Sequence, residues 1–137
     1  MKRDAENNIL HEICEKIKRE GRVEEEDLKV LSKIFGQRFM KAWTIVKNGN
    51  VKKYHFKPSG KVIWIVVGKE REYIVMPAAS FCTCDDFYYR VMDGIVYLCY
   101  HLIAQRIAES LGWYDLIVED DMLYDTLMKE WKRISIK

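Results

Sequence analysis

The sequence predicts an α+β fold: N-terminal helices, a small antiparallel β-meander, a compact Cys/His knuckle, and C-terminal helices. Three observations predict it. Apolar residues recur at helical spacing up to about residue 48 and again after residue 101. From residue 50 the period becomes that of strands, broken by Pro58-Ser59-Gly60 and by the 68–71 stretch. Between these regions stand Cys82-Thr83-Cys84 and, after a 14-residue gap, Cys99-Tyr100-His101. A chain of 137 residues is a single domain by size, 1–137. It divides into a helical part (1–49), a β-meander with the knuckle (50–112) and a C-terminal helical part (113–137).

Each element has a local reason. Residues 5–20 read as a helix with Ile9, Ile13 or Cys14, and Ile17 on one stripe, ended by Gly21. A second helix starts near Val23. Its acidic run Glu24–Asp27 suits the positive end of the helix dipole better than it suits a metal or partner site. Leu28, Leu31, Ile34 and Phe35 form its buried face, Gly36 breaks it, and Phe39, Met40, Trp43 and Val46 continue the stripe. Val51–Lys57, Lys61–Val67 and Glu72–Met76 read as strands. The 62–67 run is apolar on both faces and belongs at the centre of the sheet. A short helix is expected over 85–92, with an aspartate at its start, and a longer one from His101 to Leu111 with Gly112 as its stop. Trp113–Val118 reads as a connection to a last helix near Asp120–Arg133, with Met122, Leu123, Leu127 and Trp131 or Met128 inward.

The two short pairs carry the chemistry. Three thiolates and one imidazole are a good tetrahedral set for Zn²⁺, with Zn–S of about 2.3 Å and Zn–N of about 2.0–2.1 Å. In Cys-x-Cys the two side chains leave a strand on one face, and Cys99 and His101 fall at the start of a helix. Cys82, Cys84, Cys99 and His101 are therefore the expected ligands of one structural zinc ion. Cys14 lies far away in an apolar stripe and reads as a buried thiol. Three clustered cysteines do not suit a disulfide framework. Four protein ligands leave a tetrahedral metal no open position, and no Gly-rich phosphate loop or nucleophile–base pair is visible. No catalytic residue and no small-molecule substrate are expected.

The segment FCTCDDFYYRVMDGIVYLCYHLIA resembles the SWIM-type zinc finger, defined by Cys-x-Cys, a variable gap and Cys-x-His. With LSKIFG (31–36) and KPSGKVIWIVVG (57–68), the resemblance extends over roughly residues 28–110 to the small SWIM subunit of Shu-type homologous-recombination complexes. It implies a non-catalytic accessory factor in DNA repair that partners a RecA-type recombinase paralogue, on single-stranded or branched DNA.

Charge separates the surfaces. The net charge is +2, but residues 47–71 carry seven basic side chains and one acidic, for +6, and residues 72–137 carry six basic and eleven acidic, for −5. Zinc with three thiolates nets −1, and Asp85, Asp86, Asp93 and Arg90 take the knuckle to about −3, which repels phosphate. DNA contact is therefore assigned to Lys52, Lys53, Lys57 and Lys61, and partner contact to Phe87, Tyr88, Tyr97 and Trp113, because aromatics are enriched at interfaces. The competing class is a stand-alone zinc-finger regulator that binds nucleic acid tightly and salt-dependently, associated with transcription or transposition. No apolar run of about 18 residues is present, so no membrane contact is expected. MKRDAENNIL has no apolar signal region, and an intracellular location is expected.

Overall fold

A computed structural model describes residues 2–69, 71–79, 81–84 and 98–134. Helix α1 (Lys2–Glu20) buries Leu10, Cys14 and Ile17, a stripe at i, i+4 and i+7. Ile9 and Ile13 lie only at its margin. Helix α2 (Glu25–Phe35) opens on a tied corner: Oδ2 of Asp27 accepts the Glu24 backbone N–H at 3.0 Å. Oδ1 of the same carboxylate takes Lys16 Nζ at 3.0 Å, so one buried side chain caps α2 and holds it to α1. The acidic run is a helix start, as its composition indicates.

Gly36 ends α2 and begins α3 (Gln37–Lys47), with φ +57° and ψ −127°. Only glycine adopts that backbone without strain. On α3, Phe39, Ala42 and Val46 are buried, whereas Met40 is half exposed and faces away from the core.

Strands β1 (Val51–Lys57), β2 (Val62–Val67) and β3 (Glu72–Met76) form the expected meander. Ile63, Trp64, Ile65 and Val66 are all buried, because β2 is flanked by β1 and β3 and covered on both faces. After a 3₁₀ turn at Pro77–Ala79, the two-residue strand β4 (Phe81–Cys82) pairs with β3.

The sheet is larger than a meander. Beyond α4 (Tyr100–Leu111), residues expected to be a connector form β5 (Asp115–Asp120), which runs parallel to β1 with Tyr54 opposite Ile117. The order is β4-β3-β2-β1-β5, a mixed five-stranded sheet. β5 was hidden because it is an edge strand: Leu116 and Val118 stay more than half exposed, and its apolar triplet sits between acidic residues.

Helix α5 (Tyr124–Ile134) starts later than the sequence suggests, after a 3₁₀ turn at Asp121–Leu123. Met122 and Leu123 are exposed there, and the inward stripe is Tyr124, Leu127, Met128 and Trp131. Two apolar layers result. One joins α1–α4 to Val51, Trp64, Val66 and Val75; the other joins α5 to Phe56, Ile63, Ile65 and Ile74. The hairpin turn is pinned to the C-terminal segment by Asp121, which accepts from Ser59 N at 2.9 Å and Ser59 Oγ at 2.7 Å. Among the described residues no helix is long and apolar enough to cross a membrane. The helix expected over 85–92 lies outside the described residues.

Candidate metal centre

Both ligand pairs are held by backbone. β4 carries Cys82 opposite Val75. One residue on, Thr83 extends the pairing: its N–H donates to the Ile74 carbonyl at 3.1 Å, and its Oγ1 accepts from Ile74 N at 3.0 Å. This fixes the chain between Cys82 and Cys84. The second pair opens α4. Cys99 is extended (φ −72°, ψ 164°) at the helix N-cap, its carbonyl takes the Ile103 N–H at 3.1 Å, and His101 stands in the first turn. Just before it, the Leu98 carbonyl accepts from Arg38 Nη1 at 2.9 Å. That guanidinium also grips Glu6, with Nη2 2.8 Å from Oε2.

The ligand atoms of Cys82, Cys84, Cys99 and His101 all lie within 4.8 Å of one another, and all four residues are buried. A tetrahedron with bonds of about 2.3 Å has edges of about 3.8 Å, so the set matches zinc to within about an ångström. The donor chemistry agrees. Hydrogen bonds from Cys84 and Cys99, then burial, push the Cys82 thiol far up. At Cys99 the Cys82 hydrogen bond pulls down, but Cys84 and burial outweigh it and push the thiol up to about 12. Three crowded, buried thiols become thiolates only beside a cation. Nδ1 of His101 is buried without a hydrogen-bond partner, a penalty that a metal beside the ring can relieve. These residues fit a zinc ion, which would fix the β4 turn to the start of α4 and contribute binding energy to folding.

Around the centre, the His101 ring lies between two tyrosines, with centroids 4.2 Å from Tyr73 and 4.1 Å from Tyr100. Sequence reasoning passed over Tyr73 and Arg38. Nothing in the local pattern marks either, whereas Tyr100 stands in sequence between two expected ligands.

The four lysines assigned to DNA do not share one surface. Lys52 and Lys53 are neighbours on β1 and so project to opposite faces. Lys52 Nζ lies 3.6 Å from Glu72, and Lys53 Nζ sits over Trp64 at 5.4 Å. Lys61 Nζ covers Tyr124 at 4.3 Å, on the α5 side, and Lys57 is exposed at the end of β1. Trp113 is half exposed and stacks on Trp43 at 6.1 Å. Phe87, Tyr88 and Tyr97 lie outside the described residues.

Comparison with known proteins supports the motif. An Archaeoglobus fulgidus protein described as uncharacterized is 36% identical over 118 residues, covering 86% of this chain and 94% of its own. The Dictyostelium discoideum "Zinc finger SWIM domain-containing protein 7 homolog" is 27% identical over 118 residues, covering 84% of this chain and 75% of its own. No family model and no solved structure matches the chain. The chain belongs to the same family as the Archaeoglobus protein, and its Cys₃His cluster and distant Dictyostelium relative are consistent with a SWIM-type zinc finger.

Proposed function

We propose that the protein is a non-catalytic zinc-finger interaction module, an accessory factor of homologous recombination that partners a RecA-fold recombinase paralogue. The sequence resemblance to the SWIM subunit of Shu-type complexes supports the partner class. The structural observation that supports an interaction role is the outer edge of the sheet. Among the described residues β5 pairs with β1 on one side only, and Leu116 and Val118 are 57% and 53% exposed, followed by Met122 at 86%. Monomeric proteins protect such edges, and a partner strand or apolar face can cover this one. The zinc ion, closed by four protein ligands, has a structural part in this reading.

The test is affinity capture of the zinc-loaded full chain from native lysate of the source organism, with mass spectrometry. Wild type is expected to retain a RecA-fold paralogue, and Leu116→Glu/Val118→Glu to lose it with zinc content unchanged. Recovery of no such paralogue contradicts the partner class. Equal recovery by the double variant moves the interface to the aromatic set around Trp113.

A further inference from the structure

A groove with a volume of about 1030 Å³ runs between α3, the β2–β3 turn and the start of α4, and His101 forms part of its wall. Its charged lining is cationic: Lys41, Lys69 and Arg71, with no carboxylate among the described residues. Lys41 and Lys69 form no ion pair with any described residue, unlike Lys52 on the far face. Two aromatic rings, Tyr73 and Tyr100, share the lining.

These groups form a ladder. Arg71 Cζ lies 5.1 Å from the Tyr73 ring, Tyr73 packs on His101, His101 on Tyr100, and Lys41 Nζ lies 5.3 Å from the Tyr100 ring. The outer layer on each tyrosine is thus the side chain of a cation, a position that the planar face of a base can share. Both tyrosines are half-buried, and their shared neighbour is a candidate metal ligand, so their rings are held in place.

We propose that this groove binds single-stranded nucleic acid. Phosphates meet Lys41, Lys69 and Arg71, and bases stack on the outer faces of Tyr73 and Tyr100. Positive charge along a groove with aromatic platforms is the combination that such strands require. A duplex keeps its bases stacked inside and offers the tyrosines nothing. The groove also separates this activity from the lysines of β1, which are divided between two faces. The inference stands apart from the recombinase partner: failure to capture a paralogue leaves it untouched.

Fluorescence anisotropy of the zinc-loaded full chain tests it, with labelled 15-mers of deoxyuridylate and uridylate and a 15-base-pair duplex. The single strands are expected to bind more tightly than the duplex, and the difference between deoxyuridylate and uridylate, which share one base, tells which sugar the groove accepts. Lys41→Glu/Lys69→Glu/Arg71→Gln should weaken binding at least tenfold. It should also flatten the log–log salt dependence by about 2, since each phosphate that a cation neutralises adds roughly 0.7 to the slope. Tyr73→Leu should weaken binding about tenfold while zinc content is retained. Lys57→Glu/Lys61→Glu should bind within about twofold of wild type. Tighter binding to duplex, wild-type affinity in the triple variant, or a loss confined to Lys57→Glu/Lys61→Glu would each overturn the assignment. So would the absence of measurable binding at low salt.

Discussion

Arg38 Nη1 donates to the carbonyl oxygen of Leu98 at 2.9 Å, across 60 residues of sequence. That carbonyl precedes Cys99, so a side chain of α3 positions the second ligand pair. Glu6 of α1 holds the same guanidinium, with each of its oxygens facing one terminal nitrogen. Metal ligands need such outer support, because a ligand free to rotate loses much of its affinity. Arg38→Met should lower zinc affinity about 10–100-fold, read by competition with a chromophoric chelator. Unchanged affinity would make Arg38 a fold residue alone.

The thiols set the pH dependence. In the folded chain without metal, the Cys82 hydrogen bond is outweighed by Cys84 and burial, which push the Cys99 thiol up to about 12, against about 8.5 for a free thiol. A raised pKa contributes stability that is fully present below about pH 8.5 and is lost as pH rises toward 12. Zinc needs the thiolates, so its binding releases protons and strengthens as pH rises. The difference in Tm between zinc-loaded and chelator-treated protein should therefore shrink steadily from pH 8 to pH 5. A difference independent of pH would mean that the thiols are not ligands.

Asp27 is 4% exposed and satisfies both the Glu24 N–H and Lys16. Asp27→Ala removes the cap and leaves a donor behind, at about 1–3 kcal/mol in urea denaturation. Zinc stoichiometry should not change, since the corner joins α1 to α2 and touches no ligand.

Trp131 closes the opposite layer. It is 3% exposed, meets Tyr54 edge-on at 4.9 Å, and donates Nε1 to Glu72 at 2.9 Å. Trp131→Ala should cost about 3–5 kcal/mol, mostly through poorer packing. Trp131→Phe should cost clearly less. A cost below about 1 kcal/mol for the alanine variant would show that α5 docks loosely.

The Cys₃His cluster was legible because coordination demands particular residue types at short spacings, and all four residues stand within twenty residues of sequence. The meander was legible for a similar reason: its turns and its change of period are local. What escaped is non-local or weakly patterned. β5 pairs with β1 across about sixty residues, and its burial is too incomplete to impress a period on the sequence. Met122 and Leu123 fit the helical phase of α5 in sequence, but a 3₁₀ turn precedes that helix and leaves both exposed. The lysines of residues 47–71 summed to one basic patch in sequence, whereas a strand sends successive side chains to opposite faces. Arg38 and Tyr73 reach the centre only through the fold.

The zinc site is the central claim, and elemental analysis of the purified protein tests it most directly. About one zinc ion per chain is expected in wild type, and none in Cys82→Ser/Cys99→Ser. A zinc-free wild type, or zinc retained in the double variant, would contradict the account.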